Sequence, residues 1–292
     1  MVRFLNLTLA GITDGMIFAT IALALVMIFR ATRVINFAQG AMMMLTTFVG
    51  WTVQDRTGSY WLALGCALAA GLVLGTLVER VFIRPVENGP ELNAAVVALG
   101  LIVLINALAS MIWGSTPRAY PVPFSLRGYS VGGVRLLLSP NDLFTIGMVA
   151  FTMTALVLLF RRTALGLRMR AGAYSPELAR LLGVRVGATL TIGWALAGLI
   201  GALAGVLIAP VVFLGPDQFD TVLVYGFTAA IIGGLESPVG SVVGGLLLGC
   251  TLSYVSGYAG SEVTSLGACA VLLVALMARP SGLFGPATGR RV

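Results

Sequence analysis

An all-α fold, a polytopic integral membrane helix bundle with eight or nine spans, some of them broken or re-entrant, is what three features of this 292-residue chain predict. Hydrophobic residues make up 58% and charged residues only 10%, against about 25% charged in a soluble domain. The mean hydropathy is +1.00. The few charges gather in short intervals between apolar segments, each near the length of about 20 residues that a bilayer requires. No polar stretch is long enough for a soluble domain, so residues 1–292 read as one transmembrane domain.

Taken in order, the spans read 8–29, 35–53, 60–79, 93–113, 141–160, 188–209, 220–236, 239–257 and 263–278. The first is too long for a signal-peptide core and shows no cleavage site before Arg30, so it reads as a retained helix. The seventh is short and rich in glycine, which leaves the count at eight or nine. Between the fourth and fifth, residues 114–140 form a long loop with Pro117, Pro121 and Pro123, the aromatics Tyr120, Phe124 and Tyr129, and a Gly132-Gly133 turn that suits a small hairpin cap. Small residues recur at GxxxG spacing in Gly11 with Gly15, Gly71 with Gly75, Gly201 with Gly205, Gly240 with Gly244 and Gly245 with Gly249; ordinary close packing inside one bundle explains them better than a dimer face.

Orientation follows from charge. Arg30 and Arg33, Arg80 and Arg84, the cluster from Arg161 to Arg185, and Arg279 with Arg290 and Arg291 alternate with loops poorer in arginine, and positive loops stay cytoplasmic. The N-terminus is then outside, the C-terminus inside and the number of crossings odd. Arg118, Arg127 and Arg135 in the loop 114–140, which this scheme places outside, run against it. The net charge of +7 does not mark a nucleic-acid binder, because the arginines sit at span ends and not along one soluble face. All 18 basic residues are arginine. Without lysine or histidine the chain has no phosphate-loop lysine, no Schiff base and no histidine base or metal ligand. Cys66, Cys250 and Cys269 lie in apolar segments without a C-x-x-C spacing and read as packing residues. No cofactor is expected.

The interval 161–187 holds six of the eighteen basic residues. Within it a short helix is written by Ser175 as N-cap, Pro176 at the first helical position, Glu177 at the positive helix end and Gly183 as the left-handed stop after Leu182. Leu178, Leu181 and Leu182 fall at i, i+3 and i+4 and share one face, away from Glu177 and Arg180. Two turns of helix do not stand alone in water. The segment therefore either docks into a cytoplasmic partner or lies on membrane lipid.

Three groups of polar residues fall within the spans. Asn36, Gln39 and Gly40 open the second span, where they serve a transport path or fasten helices by hydrogen bonds. Asp220, Thr221 and Thr228 with Gly233, Gly234 and Pro238 mark a segment prone to unwind, as helices at transporter sites do. The isolated acids Asp14, Asp217, Glu236 and Glu262 lie mostly near span ends, where water reaches them, and do not read as a buried proton relay.

The blocks VINFAQGA, ERVFIRPV, GLRMRAGAYSPELARLLGV, GFTAAIIGGLESPVGSVVGGLLLG and RPSGLFG, in this order over nearly the whole chain, resemble the permease subunits of bacterial ATP-binding-cassette importers for branched-chain amino acids. The resemblance implies a multi-pass plasma (inner) membrane protein with no covalent chemistry of its own. It also implies a companion permease, as a homo- or heterodimer, cytoplasmic ATPase subunits and an extracytoplasmic solute-binding protein. On that pattern 161–187 is the cytoplasmic loop that docks on the ATPase, through Ser175, Pro176, Glu177, Leu178, Arg180, Leu181, Leu182 and Gly183. Asn36, Gln39, Gly40, Thr228, Gly233 and Gly234 are the candidates for the path, which works by alternating access. The family commonly has histidine where Gln39 stands and an acid where Ala41 stands, and similar importers carry urea, short amides or aromatic acids. An ion-coupled secondary transporter, the competing class, requires buried acids or a histidine in the path and leaves the capped loop helix unexplained.

Overall fold

In a computed structural model the chain is described from residue 2 to residue 285, apart from Arg33, Val34, Glu87, Asn88, Gly132, Gly133, Asp217 and Pro280. Arg290, Arg291 and the Gly132-Gly133 turn thus lie outside the described residues, as do Arg33 and Asp217. The helices are α1 (Val2–Thr32), α2 (Gln39–Thr57), α3 (Tyr60–Val78), α4 (Glu91–Trp113), α5 (Pro140–Arg162), α6 (Ala164–Tyr174), α7 (Pro176–Leu181), α8 (Val186–Val212), α9 (Gln218–Gly233), α10 (Pro238–Ala259) and α11 (Thr264–Ala278). A two-residue hairpin pairs β1 (Ser130–Val131) with β2 (Val134–Arg135) in the 114–140 loop.

Among the described residues seven helical segments are long and apolar enough to cross a bilayer. Two further helices, α2 and the shorter α9, correspond to the second and seventh segments read from sequence, in keeping with eight or nine spans. In α2 the residues from Gln39 to Met44, together with Thr46, Thr47 and Phe48, are buried. A helix enclosed by protein instead of lipid has no need of a uniformly apolar surface, which is why polar residues are tolerated there. The 16 residues of α9 span only about 24 Å at 1.5 Å per residue. Against the expectation of unwinding, α9 is continuous, with the Thr228 hydroxyl bonded back to the Val224 carbonyl at 2.8 Å. The interruption falls after it: Gly234 takes φ +99°, and Ser237 caps α10 by accepting from Gly240 N at 2.9 Å.

The chain divides into two compact units. The first comprises residues 1–26, 122–151 and 221–292. Its core is a seam of bare backbone: Gly11 and Gly15 of α1 lie against Gly245, Gly249 and Cys250 of α10, and Gly233 of α9 against Gly240 and Gly244. Phe18, Ala22 and Val26 then fill in against Ala229, Ala230, Leu248 and Leu252. The second unit comprises 27–121 and 152–220. There Gly71 and Gly75 of α3 meet the α8 carbonyls of Gly198 and Trp194, so that a Cβ on either glycine would overlap backbone. All five GxxxG pairs therefore pack helices within the chain, and the close approach supplies the dispersion contacts that drive association in lipid.

Contacts between helix ends sort the termini. In the second unit the end of α3 is bonded to the start of α8 through Arg84 and Gly187, and Arg30 at the end of α1 stacks on Phe160 near the end of α5. Arg118, after α4, pairs through its backbone with Leu214, after α8. The first end carries Arg30, Arg80, Arg84, Arg161 and Arg162 and is the cytoplasmic one by the arginine bias. A cysteine introduced at Arg180 is accordingly expected to react with a membrane-impermeant thiol reagent only from the cytoplasm, and one at Ser115 only from outside, in a variant cleared of the three native cysteines. Labelling of both from one side would refute this sidedness.

Candidate functional site

The segment between α5 and α8 folds as a helical pair. Thr163 caps α6 by accepting from Gly166 N at 3.2 Å, and Ser175 caps α7 by accepting from Leu178 N at 3.4 Å. Pro176 occupies the first turn of α7 with Glu177 beside it, Leu182 follows as C-cap, and Gly183 makes the left-handed turn at φ +80°. Each read cap is in place. What sequence reasoning missed is α6, where it expected only loop around one short helix. The signal was the threonine at 163, an N-cap residue just before a run of good helix formers.

The pair is anchored by small residues and presents large ones. Ala179 is buried and packs with Val186 and Leu190 of α8, flanked by Ala171 and Val184. Leu178, Leu181 and Leu182 face outward at 59%, 84% and 82% exposure, with Leu167 and Tyr174 also exposed. These apolar side chains lie within a segment whose arginines mark it as juxtamembrane, and contiguous apolar surface of this kind marks an interaction site.

Behind the pair lies a charge cluster that the sequence reading did not assign. After Val78 the helix widens to a π-turn over Glu79–Ile83, and this brings Arg84 back onto Glu79 at 2.9 Å. Glu79 is 1% exposed. The guanidinium donates through Nε to Glu79 Oε1 at 3.0 Å, and through Nη2 to the Gly187 carbonyl at 3.0 Å and Thr191 Oγ1 at 2.8 Å. Thr191 Oγ1 in turn donates to Glu79 Oε2 at 2.9 Å. A buried carboxylate is thus fully engaged, and the end of α3 is bound to the first turns of α8, directly after the α6–α7 pair.

The first group of path candidates sits at the start of α2. Asn36 is 1% and Gln39 0% exposed, and Gly40 is buried. Asn36 Nδ2 donates to Gln39 Oε1 at 3.0 Å, while its Oδ1 accepts from Ala38 N at 3.1 Å. Gln39 Nε2 donates to the Ala197 carbonyl of α8 at 3.3 Å and rests against Gly201, where a Cβ would collide with it. Gly205 likewise makes room for the Thr47 hydroxyl. In this conformation the two amides hold α2 to α8 and satisfy each other.

The second group belongs to the first unit. Thr228 is buried in α9, and Gly233 and Gly234 form its end. The carbonyls there are capped by the C-terminal segment, with Leu283 N donating to Ile232 O at 2.8 Å and Phe284 N to Gly233 O at 3.1 Å. Gly282, at φ +76°, passes so close to Gly234 that a Cβ on it would overlap backbone. The glycines serve this backbone crossing. Of the isolated acids that lie among the described residues, Asp14 and Glu236 are half-buried and Glu262 is exposed.

Residues 7–277 match the family model described as the branched-chain amino acid transport system permease component. LivH of Escherichia coli strain K12, named a high-affinity branched-chain amino acid transport system permease protein, is 27% identical over 97% of this chain and 96% of its own length. BraD of Pseudomonas aeruginosa, a permease protein of the same description, is 28% identical over the same shares. Among solved structures, PsaBC from Streptococcus pneumoniae in complex with Fab aligns with a TM-score of 0.49 and 13% identity, covering 94% of this chain and 92% of that one. The family match runs from the first helix to the last, and the chain belongs to the family of branched-chain amino acid transport system permease components.

Proposed function

We propose that this chain is the membrane permease subunit of an ATP-driven importer and that it forms, by alternating access, the translocation path for branched-chain amino acids. In this reading it performs no covalent chemistry. Separate cytoplasmic ATPase subunits hydrolyse ATP, a companion permease of the same or a different sequence completes the path, and an extracytoplasmic solute-binding protein delivers substrate. The observation that carries the reading is the capped α7 helix, held to α8 by Ala179 and turning Leu178, Leu181 and Leu182 outward. An ion-coupled transporter has no use for such a ridge. Substrate class comes from the relatives' names, LivH and BraD both being branched-chain amino acid permeases.

In the same reading 161–187 is the ATPase-coupling loop and 114–140 the outside loop of a single permease domain. Asn36, Gln39 and Gly40, with Thr228, Gly233 and Gly234, are the residues we assign to the path. The amide pair at Asn36 and Gln39 supports this because its bonds are few and exchangeable: two neutral amides can release each other for a zwitterion's charged groups at a cost of about 1 kcal/mol per bond.

Leu181→Asp and Leu178→Asp test the coupling assignment. Each places an unpaired charge at a contact that must be desolvated, which costs several kcal/mol. The variants are expected to insert normally and to lose most of the substrate-stimulated ATPase activity of the reconstituted complex, whereas Arg180→Ala, beside the ridge, has a milder effect. Wild-type coupling in both aspartate variants would leave the segment as a lipid-surface loop. Uptake of radiolabelled leucine, isoleucine and valine by cells carrying all partners tests the substrate; uptake of urea or an aromatic acid in their place would keep the importer class and discard the amino acids.

A further inference from the structure

A cavity of about 530 Å³ opens where α6 and the end of α7 meet the first turns of α8. Arg168 and Arg185 stand in its wall with Leu165, Leu182, Ala188 and Ile192. Both arginines are exposed, and neither guanidinium has a hydrogen bond or ion pair among the described residues. Beside them α8 begins without a side-chain cap, so the positive end of its dipole adds to the field of the two guanidinium groups. Ala188, Thr189 and Ile192 of α8 complete the wall, on a helix long and apolar enough to cross a bilayer.

We propose that this cavity is a binding site for one anionic glycerophospholipid of the cytoplasmic leaflet. The phosphodiester sits between Arg168 and Arg185, and an acyl chain runs past Leu165 and Ala188 to Ile192. Two features select this occupant. The site sets two guanidinium groups without a partner among the described residues beside apolar side chains of a helix long enough to span a bilayer, which matches a molecule that is anionic at the headgroup level and apolar beneath it. A carboxylate from a soluble partner would answer the arginines and leave the channel along Ala188 and Ile192 unfilled. Leu182 also lines the cavity, so the bound lipid would touch the end of α7.

The experiment uses the full chain in phosphatidylcholine nanodiscs containing spin-labelled phosphatidylglycerol or spin-labelled phosphatidylcholine, and reads the immobilised fraction of each. Wild type is expected to prefer phosphatidylglycerol. Arg168→Gln and Arg185→Gln should each weaken that preference about fivefold, as loss of one basic group near an anionic lipid does. Arg161→Gln with Arg162→Gln removes two exposed arginines that do not line the cavity and should leave the preference close to wild type. Ala188→Trp keeps both charges, blocks the channel and should lower it. An equal loss in the Arg161 and Arg162 variant means attraction of bulk membrane charge and overturns the proposal. So does undiminished preference in an Arg168→Gln, Arg185→Gln double variant. Displacement of the labelled lipid by free glycerol 3-phosphate, with Ala188→Trp without effect, would reduce the site to one for a soluble phosphate and overturn it equally.

Discussion

Replacing Arg84 with alanine is expected to lower the apparent unfolding midpoint of the purified protein by roughly 5–10 °C, from a loss of about 3 kcal/mol. The reason is the partner left behind. The Glu79 side chain is 2% exposed, whereas that of Arg84 is 42% exposed. Without the guanidinium the carboxylate keeps only the Thr191 hydroxyl, in a site that excludes water, and breaking a buried pair on one side typically costs about 3–5 kcal/mol. Partial exposure of Arg84 sets the estimate at the lower end. The opposite change behaves differently, because in Glu79→Gln the arginine retains Gly187, Thr191 and water, and the amide retains the shape. The double variant Glu79→Gln, Arg84→Ala removes the stranded charge and should be more stable than Arg84→Ala alone. Equal losses for the two single variants, adding in the double, would mean that no buried charge is being compensated.

That cluster also shows where the sequence stopped being informative. ERVFIRPV carries the glutamate and the arginine in plain view, yet their five-residue spacing is wrong for an α-helical pair and becomes a contact only through the π-turn. The remaining partners, Gly187 and Thr191, lie more than a hundred residues away. By contrast, the α7 caps were legible because Ser175, Pro176 and Gly183 act on their immediate neighbours. Membrane-length spans were legible for the same reason, since length and hydropathy are local quantities. Helix α6 was not, because its 11 residues fall well short of a span and its start is marked by little more than Thr163. Glycine spacing announced close packing without saying against what: Gly71 and Gly75 pack on α8 at Gly198 and Trp194, while Gly201 and Gly205 accommodate Gln39 and Thr47 side chains. The unwinding expected of the 220–236 segment from its glycines was misplaced by a few residues, since Gly233 and Gly234 serve the turn to α10 and the crossing of the C-terminal segment.

Gly75→Val is expected to be more damaging still, with little or no assembled protein recovered after solubilisation. A Cβ at Gly75 meets the carbonyl and carbonyl carbon of Trp194 together with Cα of Ala195. These are backbone atoms of a helix, and Trp194 is 0% exposed, so no flexible side chain can move aside. Overpacking against side chains costs about 1–3 kcal/mol; here relief requires separating α3 from α8, which forfeits the contacts of Gly71 and Gly198 along the same seam. In lipid that dispersion energy is the main attraction holding the helices together. Gly65→Ala in the same helix is the matched control, as its Cβ would meet nothing within 4 Å. It should be neutral or stabilising by up to about 1 kcal/mol through helix propensity. Under the proposed coupling role of α7 the seam would matter for transport, because α8 starts directly after the α6–α7 pair and α3 is in backbone contact along it, so the two helices would shift as one body. Gly71→Ala places a Cβ against the Gly198 carbonyl along the same seam and should likewise lower the amount of recovered protein, though less than Gly75→Val does. Recovery of Gly75→Val at the level of Gly65→Ala would show that the seam is loose and that α3 and α8 can move separately.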